Sequence, residues 1–241
     1  MTNLLGEFFG TMMLITFGAG VVACVLLKDS KGNGGGWIVI TAGWAFGVML
    51  GVFTSVALGA PQADLNPAVT LAKTMLGVYG AGHAFATMLA QIAGGFTGGA
   101  IVWLAYLPHW APTEDPGLKL AVFSTAPAIR SYGQNFLCEV IGTFMLLFGI
   151  FAIFHTNNGT LPSGYGPYLV SILVWALGLS LGGPTGYAIN PARDLGPRIA
   201  HAVLPIAGKG SSDWAYAWIP VCAPMVGAVL AYVVCKGIGL L

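Results

Sequence analysis

Charge is what this sequence has least of. Asp, Glu, Lys and Arg make up 7% of the 241 residues, against about 25% in an average soluble domain, while hydrophobic residues supply 56%. That balance excludes an ordinary water-soluble fold. The formal net charge is +1 with no run of basic residues, so nucleic acid is not expected as a partner. Cysteine is sparse too. Cys24, Cys138, Cys222 and Cys235 lack metal-ligand spacing, and their expected role is buried apolar packing, with no disulfide, metal or cofactor inferred. His83, His109, His155 and His201 share no catalytic spacing and are expected in loops or at helix ends. No His-Glu-x-x-His or Gly-x-Ser-x-Gly pattern is present, which argues against an enzyme.

The uncharged stretches give the class. Residues 8 to 27, 32 to 63, 74 to 113, 140 to 192 and 214 to 235 contain no Asp, Glu, Lys or Arg. A hydrocarbon core about 30 Å thick takes about 20 apolar residues per helix, so these gaps hold at least five crossings. A polar turn from His155 to Pro167 divides the longest gap and makes six. The predicted spans are 4 to 27, 37 to 58, 82 to 106, 133 to 154, 167 to 182 and 215 to 238. The first carries Glu7 and lacks both a basic start and a cleavage site, so it reads as a retained span. With both termini inside, Lys73 and Lys236 lie inside and Lys28, Lys31, Lys119, Arg130 and Lys209 outside. That charge bias alone favours the opposite orientation.

One tripeptide occurs twice, as Asn66-Pro67-Ala68 and Asn190-Pro191-Ala192. Asn is a strong helix N-cap and Pro is preorganised for the first helical position, so each copy starts a helix. Both segments are too short to cross, and they read as re-entrant half-helices over 67 to 77 and 191 to 201. A helix starting inside a membrane points free N–H groups and a positive dipole end at a water-filled path. Once each Asn has capped its helix, spare amide donors remain to hold the oxygen of a passing molecule.

Other landmarks repeat in the same order. Glu7-Phe-Phe-Gly10-Thr11 returns 132 residues later as Glu139-Val-Ile-Gly142-Thr143, and Gln91-x-x-Gly94 returns as Pro224-x-x-Gly227. Two halves, 1–106 and 132–241, are therefore joined by a loop, 107–131, in a single channel domain. Three crossings per half place the second half upside down, an inverted repeat. Gly94, Gly95, Gly98 and Gly99 give the third span a small face suited to close helix approach.

Few residues are left to carry function. Glu7 and Glu139 are the only acids within spans, and their matching positions suit bracing of the two re-entrant loops; a proton relay is the alternative. Arg193 directly follows the second tripeptide, where a guanidinium can donate into a passage and repel cations. Arg198, one turn on, reads as interfacial. An inverted repeat with broken helices also suits a secondary transporter, or a structural junction protein.

The paired Asn-Pro-Ala elements with Arg193 resemble the major intrinsic protein family, the aquaporins and glycerol facilitators, over essentially the whole chain. The resemblance implies an all-α membrane protein with six transmembrane helices plus two re-entrant half-helices. It also implies a homotetramer in the plasma membrane, both termini cytoplasmic, and a pore in each subunit. Asp194 and Arg198, with Pro220 and Val221, resemble the glycerol-conducting branch. By motif, the outer constriction falls on Trp44, Gly178, Tyr187 and Arg193, an aromatic corner opposite an arginine. The implied permeants are glycerol and water, with undissociated lactic acid, urea and dihydroxyacetone as further candidates. Glycerol facilitators usually carry Phe where this chain has Tyr187, so a narrower or more polar constriction is expected here.

Overall fold

The computed structural model describes residues 2–241, which form ten α-helices and one short 3-10 turn, Thr156–Asn158. Six helices are long and apolar: α1 (Thr2–Leu26), α2 (Trp37–Ala57), α4 (Ala81–Ala105), α7 (Tyr132–Ile153), α8 (Tyr165–Leu181) and α10 (Trp214–Gly237). Every boundary lies within two residues of its expected place. The shortest, α8, has 17 residues and rises about 25 Å, the lower end of what crosses a bilayer. Two half-helices follow the tripeptides, α3 (Pro67–Met75) and α9 (Pro191–Val203). Two more short helices, α5 (Leu107–Trp110) and α6 (Pro116–Phe123), occupy the connection between the halves, which the sequence reading left as plain loop.

Packing follows the repeat. α1 packs on α2 and α4 as α7 packs on α8 and α10, while α3 reaches across to α10 and α9 to α4. Hydrophobic side chains face outward as well as into the core, and several polar groups are buried. Phe17, Phe46, Phe85, Leu137, Ile172 and Val233 are exposed, whereas Glu7, Gln91, Glu139, Asp194, Arg198 and His201 are buried. An apolar exterior with its polar groups turned inward suits hydrocarbon as the outer solvent.

Glycines set the helix spacing. A Cβ on Gly94 would lie 2.2 Å from the Phe8 carbonyl oxygen of α1, and its repeat partner Gly227 would meet Val140 O at 2.6 Å. Gly95 faces α9 instead, with Ala192 O at 2.7 Å from its absent Cβ. These neighbours are backbone and cannot swing aside. Gly94→Ala is therefore expected to push α1 and α4 apart at a cost of about 1–3 kcal/mol, read as a lower thermal midpoint in detergent. An unchanged midpoint would mean that this contact does not fix the spacing.

Candidate pore and its constrictions

The segments leading into α3 and α9 share an unusual backbone. Ala63 and Leu65 have φ of 43° and 52°, and Tyr187 and Ile189, 124 positions later, have 38° and 43°. Left-handed residues other than glycine cost about 1–3 kcal/mol each and persist only where the surroundings hold them. Two carboxylates do the holding. Glu7 accepts from the N–H of Asp64 (2.7 Å) and of Leu65 (2.8 Å), and from Gln91 Nε2 (2.9 Å). Glu139 accepts from the N–H of Ala188 (3.0 Å) and of Ile189 (2.8 Å). Pro224 stands where Gln91 would repeat, so the second loop lacks that amide donor.

Each Asn caps its own helix and ties the other loop. Asn66 Oδ1 accepts from Ala68 N, and Asn190 Oδ1 accepts from Ala192 N and Arg193 N. Asn66 Nδ2 donates to Ile189 O, and Asn190 Nδ2 donates to Leu65 O, both at 2.8 Å. A primary amide has two N–H groups, so one per Asn is spent on the tether and one is left. The spare donors number fewer than the sequence reading assumed, but the same tether holds the two helix starts together.

At one end of this axis the Arg193 guanidinium carbon lies 3.9 Å from the centroid of the Trp44 ring, over its face. It stacks on the aromatic wall where the sequence reading placed it opposite. Trp44 itself sits on Gly18, whose Cβ would come 2.2 Å from Trp44 Cε3. Tyr187 fills the space beside Gly178: a Cβ there would meet Tyr187 Cζ at 2.8 Å and Oη at 2.9 Å. The phenol is thus turned against α8. Trp37, absent from the sequence reading, packs edge-on to Tyr187 and donates Nε1 to Gly178 O at 2.9 Å. Trp44 Nε1 and Tyr187 Oη are buried and unpartnered among the described residues.

One cavity of about 280 Å³ connects these parts. Its lining includes Asn66, Asn190, Trp44, Tyr187 and Arg193, and it continues past Leu65 and Ile189 to Asp64, Gln62 and Lys73 at the other mouth. Val48, Val52, Ile150 and Val174 line the remaining wall. Hydrogen-bonding groups come mainly from the two loops that lead into α3 and α9, and hydrocarbon mainly from α2, α7 and α8.

Residues 1–235 match the Major intrinsic protein family. The chain belongs to that family. It is 54% identical over 228 residues to glycerol uptake facilitator protein 3 of Lactiplantibacillus plantarum, covering 95% of this chain and 93% of that one. A probable glycerol uptake facilitator of Thermotoga maritima is 51% identical, with 95% and 96% covered. The fold is similar to that of an aquaglyceroporin from Plasmodium falciparum, with a TM-score of 0.86, 27% identity, and 100% and 99% of the chains covered. This member of the major intrinsic protein family is a multi-pass membrane channel and not an enzyme.

Several residues lie elsewhere than expected. Arg198 is fully buried, not interfacial: Nε donates to Asp194 Oδ1 at 2.7 Å, and its other nitrogens reach Thr125 O and Ser212 O. Asp194 in turn accepts from Thr125 N and Oγ1. The pair pins the connection between the halves onto α9, because a buried charge must be paired and hydrogen-bonded. Pro220 and Val221 lie within α10 and, like Gly178, are not among the cavity-lining residues. His201 is at the end of α9, where it was expected, but fully buried, with Nδ1 2.8 Å from Ser212 Oγ. Cys235 is buried, Cys24 and Cys138 are half-buried, and Cys222 is exposed on α10, contrary to the expected packing role.

The basic residues of the connections also have internal partners. Lys119 is buried and donates to Ala207 O, and Lys209 donates to the carbonyls of His201, Ala202 and Leu204 at the end of α9. Arg130 pairs with both oxygens of Asp213, and those hydrogen bonds hold the Asp213 carboxyl below the usual carboxylate range. Three of the five charges that tilt the orientation count are thus structural ligands.

Proposed function

We propose that this chain is a passive channel for glycerol and water that excludes protons and ions. The carrying observation is the single cavity whose lining includes Lys73, both Asn side chains and Arg193, with polar groups from the two loops and hydrocarbon from α2, α7 and α8. A small polyol has the same two kinds of surface. In this reading Asn66, Pro67, Ala68, Asn190, Pro191 and Ala192 form the central constriction. Trp44, Tyr187 and Arg193 form the outer filter, with Gly178 making room for Tyr187. Two helix starts and a guanidinium place positive potential along the path, which opposes cations and breaks a proton-conducting water chain. Relatives named glycerol uptake facilitators support glycerol as the guest. Urea, dihydroxyacetone and undissociated lactic acid are small and neutral enough to belong to the same class.

The channel is further assigned to the plasma membrane as a homotetramer, with both termini cytoplasmic and halves 1–106 and 132–241 joined by 107–131. The internal partners of Lys119, Arg130 and Lys209 support setting the charge count aside. Osmotic reswelling of vesicles holding the purified protein, run with each of these solutes, tests the function. Reswelling faster than in empty vesicles with glycerol is expected; no acceleration with any neutral solute would overturn the reading.

Tyr187 sets the balance between guests. Tyr187→Phe removes a buried, unpartnered hydroxyl packed beside Gly178 and is expected to raise the glycerol-to-water permeability ratio by freeing space at the filter. An unchanged ratio would place the limiting constriction elsewhere.

A further inference from the structure

The mouth farthest from Arg193 contains an ion pair with no role in the account above. Lys73, in the last turn of α3, donates to Gln62 O at 2.7 Å and lies 2.5 Å from Asp64 Oδ1. The Asp64 side chain is fully buried, and its other oxygen accepts from Thr70 Oγ1, which itself accepts from Gln91 Nε2. Lys73 keeps 19% of its side chain exposed. It lines both the long cavity and the vestibule outside it, so its ammonium stands at the threshold between them.

An ammonium has three N–H donors. One is used by the Gln62 carbonyl and the Asp64 carboxylate lies in ion-pair contact, and no further partner is present among the described residues. A free lysine at a membrane surface would extend towards the headgroups. Here the buried carboxylate anchors it over the opening. The facing wall is hydrocarbon, with Val56, Ile150, Phe154 and Val170. A donor on one side and apolar surface on the other repeat, at this mouth, the pairing of Arg193 with Trp44.

We infer that Lys73, fixed by Asp64, is a second recognition station, which takes up small polyols at the mouth opposite Arg193. One hydroxyl oxygen accepts from a free ammonium N–H while the carbon edge lies along Phe154 and Ile150. The station concentrates and orients polyols before they enter single file. Water, which needs no apolar wall, gains little from it. This inference rests on the channel reading and adds a specificity-determining residue to it.

The competing role is purely structural, since the bond to Gln62 O also braces the loop. Water and glycerol permeabilities measured on the same vesicles separate the two. Lys73→Met is expected to lower glycerol permeability by about tenfold or more, the loss of one charge-assisted hydrogen bond, and to leave water permeability within about twofold. Parallel loss of both fluxes, or no change in either, would overturn the inference. Lys73→Met also leaves Asp64 without its counter-charge, a cost that removing both partners avoids. The double variant Asp64→Asn with Lys73→Met therefore carries the same test with the same outcomes, its water flux reporting that it is folded. Wild-type protein that passes water but no glycerol would overturn the glycerol reading itself, and this station with it.

Discussion

Glu139→Ala is expected to leave no measurable glycerol or water flux. Its carboxylate is the acceptor for the N–H groups of Ala188 and Ile189, which lie between and within the left-handed positions Tyr187 and Ile189. Losing it strands two buried donors at about 1–3 kcal/mol each and releases a backbone that holds about as much strain per left-handed residue. Against a total stability of about 5–15 kcal/mol, that is enough to collapse the loop and with it the Tyr187 side of the filter. Glu139→Gln should be nearly as damaging, because its amide nitrogen would turn a donor towards a donor. Glu7→Gln should be milder, since Asp64 is also held by Lys73 and Thr70. Thermal unfolding in detergent and vesicle flux would be measured together. Wild-type flux through Glu139→Ala would remove the carboxylate from any bracing role.

Arg193→Ala is expected to admit cations while neutral solutes still pass. The guanidinium lies over Trp44 and has no ion-pair partner among the described residues, so its charge is directed into the lumen, whereas Asp194 neutralises Arg198 outside it. A unit charge at 4 Å opposes a cation by about 4 kcal/mol at an effective dielectric of 20. With each 1.4 kcal/mol worth about tenfold, cation leakage should rise by about three orders of magnitude. Glycerol flux should stay within about threefold, as the apolar walls and both Asn side chains remain. If the folded variant still excludes sodium and protons completely, the two helix ends suffice and Arg193 is no barrier.

Much of this architecture is visible in the sequence because membrane burial leaves a compositional trace. The spans follow from uncharged gaps, and the helix starts from Asn-Pro, whose capping chemistry is local. The same logic was available at Asp115-Pro116, where Asp115 accepts from Gly117 N to start α6, but a single copy among loop residues carried no weight beside a repeated one. Arg198 was misplaced although an acid four positions before a base, Asp194 to Arg198, is the favourable helical order for pairing. That a buried loop would supply its remaining acceptors, through Thr125 and Ser212, depends on tertiary contacts no local pattern records. The left-handed Ala63, Leu65, Tyr187 and Ile189 gave no signal at all. None is glycine, and the conformation is imposed by carboxylates more than 40 residues away in sequence. Trp37 meets Tyr187 and Gly178, and Lys73 meets the cavity's end, only once α2, α3 and α8 are assembled.

The most direct test of a passive, ion-excluding pore is to follow labelled glycerol into vesicles of the purified protein, with and without an imposed proton or sodium gradient, while recording internal pH. Entry should reach the external concentration quickly, stop there whatever the gradient, and leave the internal pH drifting no faster than in empty vesicles. Accumulation above the external concentration, or a proton flux that accompanies glycerol, would contradict the account and make Glu7 and Glu139 coupling groups of a transporter.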